Sequence, residues 1–259
     1  MLKALIWDVD GTVAETERDG HRVAFNQAFV ECGLPWHWDV SAYGRLLAVS
    51  GGCERLLAYM GEREDVPAEA SARERLARSI HASKSRHYAN LVAQHRLPAR
   101  PGVQRLIGQC ADAGIALAVA TTTSRGNVEA LFPHLFGQHW RERFQVLVCA
   151  EDAPSKKPDP LVYRLALARL QCAPSEALAI EDSPAGLAAA QSAGVACLIT
   201  RSDYFADADF IGATWVCHDL DAPVSFADLA APCIDLPVLR AMFALQTTGI
   251  SDAPARKPA

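Results

Sequence analysis

From residue 103 onward, short apolar runs alternate with stretches of helical spacing. That pattern buries its apolar faces as a parallel sheet covered by helices. Ile115–Ala120, Phe144–Cys149, Ala177–Ile180 and Val195–Ile199 read as buried strands, with helices expected over 103–113, 125–136, 159–171 and 184–193. Crossovers between such strands are right-handed. One further strand, residues 3–7, stands far upstream and ends in Asp8-Val9-Asp10-Gly11-Thr12. Between it and the rest, from about 16 to 95, apolar residues recur at helical spacing (Val23, Phe25, Ala28, Phe29; then Leu56, Leu57, Met60) and no strand is evident. Pro98 and the pair Pro101-Gly102 close that span. A helical subdomain inserted after the first strand of one sheet explains this order more simply than two consecutive domains. A chain of 259 residues is long enough for such a core and a smaller second unit.

In open parallel sheets the working site lies beyond the carboxyl ends of the strands. The reactive residues collect there. Asp8 and Asp10 follow the first strand, Thr121 the second, and Glu181-Asp182 follow Ile180, while Lys157 lies in the loop after the Phe144–Cys149 strand. Asp8 and Asp10 are two apart, so on extended backbone their side chains start from one face. Paired carboxylates suit either a hard cation or a divided acid/base role, and Gly11 permits a sharp turn directly after them. Thr121-Thr122-Thr123-Ser124 offers hydroxyls and helix-start N–H groups to phosphate oxygens, although helix capping by Ser124 or Thr123 is an equally ordinary use. Prolines stiffen the loop Ser155-Lys156-Lys157-Pro158-Asp159-Pro160, where a fixed ammonium neutralises phosphate or restrains Asp8, or is simply solvated. Two acids after a buried strand are costly unless a cation meets them. Asp182 is alternatively the cap of the next helix.

The formal charge of −5, from 25 basic and 30 acidic residues without a long run of either, argues against broad binding to nucleic acid or anionic membranes. No apolar stretch approaches membrane-spanning length, and the opening meets Asp8 too soon for a signal peptide. Eight scattered cysteines without a C-x-x-C pair read as reduced thiols, as for Cys149 in its apolar run. A cytoplasmic, monomeric protein is expected. No G-x-G-x-x-G follows a strand, which sets dinucleotide binding aside.

In order, Asp8-x-Asp10-Gly11-Thr12, Thr121, Lys157 and Glu181-Asp182 resemble the four motifs of the haloacid dehalogenase superfamily of phosphotransferases. The likeness extends to the helical insertion. Glu15-Thr16-Glu17, His21-Arg22-Val23-Ala24-Phe25-Asn26, Trp36-His37-Trp38 and Ser50-Gly51-Gly52-Cys53-Glu54-Arg55 resemble the β-phosphoglucomutase and CbbY-type branch, CbbY more closely. The resemblance implies an α/β fold: a Rossmann-like three-layer parallel-sheet core over 1–15 and 97–250, with an inserted α-helical cap over 16–96. Residues 251–259 are expected to form a frayed tail. It further implies Asp8 as nucleophile, Asp10 as acid and base, and Thr121 and Lys157 holding the transferring group beside the Thr122 backbone N–H. Magnesium is implied at Asp8, the Asp10 backbone carbonyl and Asp182, with Glu181 orienting a metal-bound water. From the cap, Arg55 is expected to reach a non-reacting phosphate and Gly52 to let backbone approach closely. Glu17 and His21 are expected on sugar hydroxyls, and Lys84 and Tyr43 as further contacts, with a solvated face or plain packing as their ordinary alternatives. The substrate implied is xylulose 1,5-bisphosphate, an inhibitor of Rubisco, and the setting carbon fixation.

Two departures from the pattern stand out: Asp19-Gly20 puts a poor helix former at the first cap helix, and Cys53 neighbours Arg55. A sugar phosphomutase using the same Asp8 and Asp10 is the main rival. A dehalogenase, or a sugar-phosphate sensor without turnover, is a more distant one. Trp7 and Phe25 are assigned to the core.

Overall fold

The computed structural model describes residues 1–94, 97–226 and 229–247. Strand β1 (Ala4–Trp7) is fully buried. The chain then leaves the sheet through one π-helical turn, Glu17–His21, and helices α1 (Arg22–Glu31), α2 (Val40–Leu46), α3 (Gly52–Gly61) and α4 (Ala70–Ala93). It returns through α5 (Val103–Asp112), β2 (Ala116–Ala120), α6 (Arg125–Phe136), the short α7 (Trp140–Arg143) and β3 (Phe144–Val148). Next come α8 (Leu161–Leu170), β4 (Ala177–Glu181), α9 (Pro184–Ser192) and β5 (Ala196–Thr200). Beyond the strands read from sequence lie β6 (Trp215–Cys217), an antiparallel hairpin of β7 (Val224–Phe226) and β8 (Leu229–Ala231), and α10 (Leu236–Thr247). Strands of three residues carry too little periodicity to be recognised from sequence.

The main sheet runs β3-β2-β1-β4-β5-β6, every neighbouring pair parallel, so the expected α/β, Rossmann-like core is borne out. Alternate residues on each strand point to opposite faces. Leu5 and Trp7 join Leu117, Val119, Leu178 and Ile180 on one face, packed by Leu106 and Ile107 of α5 and Leu131 and Phe132 of α6. Ala4 and Ile6 join Ala118, Ala120, Ala177 and Ala179 on the other, packed by Val162 and Tyr163 of α8 and Leu187 of α9. The small residues on that second face let the helices lie close to the strands.

The helices between β1 and α5 have their own aromatic cluster, with Phe25, Phe29, Trp36, Trp38 and Tyr43 buried around Leu56 and Met60. Trp38 meets Phe29 and Tyr59 edge to face at 4.8 and 5.2 Å, contacts of about 0.5–1.5 kcal/mol each. The last turns of α4 bury Tyr88, Leu91 and Val92 in the sheet's cluster instead, so this helix spans both units. Gly20 has a reason to be glycine: a Cβ there would lie 3.0 Å from Leu97 and 3.1 Å from Tyr88 side-chain carbons. Trp7 and Phe25 are both fully buried. The expected tail, 251–259, lies outside the described residues. No helix among the described residues is long and apolar enough to cross a membrane.

Candidate active site

From β1 the sheet grows one way to β2 and β3, and from β4 the other way to β5 and β6. A crevice forms at such a junction. Asp8 and the Glu181-Asp182 pair flank it. The three carboxyl groups are buried and approach within 4.8 Å of one another. Lys157 Nζ donates to Asp8 Oδ1 and to Glu181 Oε1, both at 2.6 Å. Asp182 is held by hydroxyls, Ser202 Oγ at 2.6 Å and Thr12 Oγ1 at 3.4 Å. Gly11, at φ +84°, makes the turn that brings the strands' acids together; a Cβ there would fall 2.1 Å from Asp182 Oδ2. Ser183, not Asp182, caps α9, accepting from Gly186 N at 3.0 Å, and Ser124 caps α6. That leaves Asp182 available to the crevice.

One buried ammonium does not neutralise three buried carboxylates. Burial pushes the Asp8 pKa up to about 8; Lys157 opposes the rise, while the Glu181 charge adds to it. Burial and then the charges of Asp8 and Glu181 raise Asp182 well above the carboxylate range. Desolvation works to lower the Lys157 pKa, but the charges of Asp8 and Glu181 outweigh it and hold the ammonium above its normal range, so it stays charged. Hard oxygen donors in mutual repulsion are the donor set a divalent cation such as magnesium fits. Asp8 and Asp182 are open to it, whereas Glu181 also takes the Tyr163 hydroxyl at 2.5 Å. The fully buried Glu181 carboxylate joins Lys157 to Tyr163 through Oε1 and lies in the same cluster as Asp8 and Asp182.

Asp10 accepts from Thr16 Oγ1 at 2.5 Å and pairs with His21 Nε2 at 2.9 Å. Burial works to raise its pKa, but His21 and Thr16 outweigh burial and hold the carboxyl below its usual range. Its side chain therefore faces the cap, and only its backbone carbonyl is a candidate for the cation.

The cleft between the sheet and the helices has two lobes. One, of about 630 Å³ and open to solvent, holds Asp8, Asp182 and Lys157; the other, of about 810 Å³, holds His21, Gly52 and Lys84. Asp10, Glu17, Arg55 and Thr122 line both. Arg55 is buried, donating Nη1 to Tyr43 Oη at 2.8 Å and Nε to the Leu46 carbonyl at 3.2 Å. Tyr43 in turn donates to Glu17 Oε2 at 2.5 Å.

Several expected contacts change character. Tyr43 is fully buried behind Glu17 and Arg55, so it positions them and does not line the cleft. His21 lines the cleft and pairs its Nε2 with Asp10. Close approach at Gly52 is taken by His81, whose Cδ2 lies 2.7 Å from where a Cβ would stand. The Thr121 hydroxyl accepts from Thr123 N at 3.2 Å, and Thr122 is the neighbour that lines the cleft. Lys84 is 4% exposed, with its ammonium 5.3 and 5.4 Å from the Phe25 and Tyr88 ring centroids, so the solvated-face alternative falls.

Thr16, Tyr163, Ser202 and Arg100 join the site without having been singled out as site residues. Ser202 stands two residues past the end of β5, on the side of the sheet where the strand-end signal that marked Asp8 also applies. Arg100, buried, donates Nη1 to the carbonyls of Gly11 at 2.6 Å and Thr200 at 2.9 Å, and nothing local in the sequence announces it.

Comparison with known proteins agrees with this geometry. The haloacid dehalogenase-like hydrolase family model matches residues 2–194. The chain is 44% identical over 222 residues to a plasmid CbbY protein of Cupriavidus necator, covering 86% of this chain and 87% of that one. It is 40% identical over 238 residues to CbbY of Cereibacter sphaeroides, covering 92% and 100%. Among solved structures, a variant of Rhodobacter sphaeroides CbbY in complex with xylulose 1,5-bisphosphate matches with a TM-score of 0.79 at 40% identity, covering 85% of this chain and 95% of that one. With the carboxylate crevice, the parallel sheet and these likenesses in agreement, the chain belongs to the haloacid dehalogenase-like hydrolase family, as a phosphatase.

Proposed function

We propose that this phosphatase hydrolyses a sugar bisphosphate, xylulose 1,5-bisphosphate foremost, through an aspartyl phosphate on Asp8, with residues 16–96 acting as the cap that selects it. The observation that carries the chemistry is Asp8 Oδ1 held at 2.6 Å by Lys157 in a buried carboxylate crevice. A carboxylate oxygen fixed in this way is an oriented nucleophile. The xylulose bisphosphate bound to the Rhodobacter sphaeroides relative supports the choice of substrate.

Asp8 attacks phosphorus, the phosphorus–oxygen bond to the sugar breaks, and Asp10 gives its proton to the departing oxygen. A bound phosphate dianion beside Asp10 opposes its negative charge and favours the protonated form this step needs. Water then attacks phosphorus, Asp10 takes its proton, and the bond to Asp8 breaks to free inorganic phosphate. Lys157 offsets charge on the phosphoryl oxygens, with the Thr122 N–H beside it. Magnesium, held by Asp8, Asp182 and the Asp10 carbonyl, would supply charge neutralisation for the transferring group. Arg55, Glu17 and Lys84 bind the rest of the substrate. A guanidinium fork suits a second phosphate.

Phosphate release is measured with magnesium on xylulose 1,5-bisphosphate, ribulose 1,5-bisphosphate and β-glucose 1-phosphate. The xylulose compound is expected to be turned over best, and Asp8→Asn to lose at least about 10⁴-fold in kcat, as for removal of other nucleophiles. Comparable rates on all three would sink the substrate assignment. Release by Asp8→Asn at the wild-type rate would sink the nucleophile. Asp182→Asn is expected to weaken the magnesium-induced rise in Tm, a readout independent of turnover.

A further inference from the structure

The loop after β5 belongs to the sheet, yet it reaches both the reacting end of the cleft and the cap helices. Ser202 donates Oγ to Asp182 Oδ2 at 2.6 Å. Asp203 pairs at 2.5 Å with Arg18 of the π-helical turn, and its N–H donates to Glu15 Oε1 at 3.3 Å. Tyr204 lies against Tyr43, ring centroids 5.9 Å apart, and against Gly44, where an added Cβ would come within 3.0 Å of its ring. The ring packs with the cap's aromatic cluster and lines the reacting lobe.

This loop is anchored from the sheet side. Arg100 donates to the carbonyls of Thr200 and Arg201, and Arg201 Nη1 donates to those of Ala206 at 2.8 Å and Ala208 at 2.9 Å. Tyr204 is therefore a fixed surface pressed against Tyr43. Tyr43 uses its one hydroxyl twice, giving its proton to Glu17 and accepting from Arg55. Both bonds depend steeply on where that oxygen sits. Any tilt of the Tyr43 ring disturbs two cleft groups together.

We infer that Tyr204 is a positioning residue for substrate selection: it braces Tyr43 and Gly44 from the sheet side and so fixes the Glu17–Arg55 pair that receives the non-reacting part of a sugar bisphosphate. This rests on the reading of Glu17 and Arg55 as substrate contacts. Ser202 and Tyr204 are two residues apart, so one short loop ties the Asp182 end of the cleft to the selecting end.

The test is the ratio of kcat/KM for xylulose 1,5-bisphosphate over p-nitrophenyl phosphate, which lacks a second phosphate. Tyr204→Ala is expected to lower the ratio about two- to tenfold, the worth of one aromatic contact, chiefly through KM for the bisphosphate. Tyr204→Phe keeps the ring and is expected to restore the wild-type ratio. Gly44→Ala attacks the same contact from the cap. Its gain in helix preference within α2 offsets part of the crowding against the Tyr204 ring, so the ratio is expected to fall with a Tm loss of no more than a few degrees, which covers the case in which Tyr204→Ala folds poorly. Arg55→Lys is the control for the underlying reading. If it lowers the ratio while Tyr204→Ala and Gly44→Ala leave it unchanged, the brace is overturned and the reading stands. An equal fall in Tyr204→Phe and Tyr204→Ala assigns the effect to the hydroxyl and also overturns the brace. An unchanged ratio in Arg55→Lys removes the reading, and the brace with it.

Discussion

Lys84 shows how burial sets the working range of a single side chain. Desolvation lowers its pKa to about 8; Asp10 and Glu17 pull the other way, and Arg55 adds to the fall. An anionic ligand prefers the charged form, so KM for a bisphosphate is expected to climb as pH rises through about 8. Lys84→Met should show a higher KM that is flat across that window, and a wild-type profile equally flat would rule the lysine out as a ligand group. Stability moves in the opposite direction. The unfolded chain keeps the lysine protonated up to 10.5, so between about 8 and 10.5 it binds more protons than the folded protein, and this group's contribution to stability rises with pH. Urea unfolding of wild type and Lys84→Met across that range separates this contribution from the others.

At the scale of elements, the π-helical turn Glu17–His21 sets the start of the cap. It places Glu17 and His21 on the cleft, and Gly20 against Leu97 and Tyr88. Gly20→Ala would gain about 1 kcal/mol of helix propensity but overpack two side chains at a cost of about 1–3 kcal/mol. A net loss of Tm of a few degrees is expected. A rise in Tm would show that Leu97 and Tyr88 have room to yield. Helix α4 is the other element with two allegiances, carrying Lys84 on the cleft and burying Tyr88 and Leu91 with the sheet's cluster.

At the scale of the molecule, one guanidinium ties together segments far apart in sequence. Arg100 reaches the carbonyls of Gly11, Thr200, Arg201 and His218, and Glu15 Oε1 at 3.2 Å. These lie at the two crossings between sheet and cap and at the ends of β5 and β6. Arg100→Met would strand several buried carbonyls and the Glu15 carboxylate. A loss of about 3–5 kcal/mol is expected in denaturant unfolding, the usual cost of breaking a buried charged network. A loss below about 1 kcal/mol would mean that water replaces the guanidinium.

The parallel sheet, the helical insertion and the crevice residues Asp8, Asp10, Lys157 and Asp182 were legible before any coordinates, for local reasons. Strand and helix periods are written in neighbouring residues, and a parallel sheet places reactive groups at strand ends. The resemblance added the roles of Glu17, Arg55 and Lys84, and the structure places all three on the cleft. Less was visible where partners are distant. Tyr163 reads as an ordinary apolar helix position until Glu181, 18 residues away, accepts its hydroxyl. Arg100 reads as surface until carbonyls about a hundred residues on converge on it. Sequence alone determined which residue types stand at the strand ends and the alternation that makes a sheet, because both follow from short-range periodicity and burial. Only the tertiary structure decided that Glu181 holds Lys157, that Tyr43 stands behind Arg55, and that Tyr204 bridges sheet and cap. Each is a contact between segments whose separation along the chain carries no local signal.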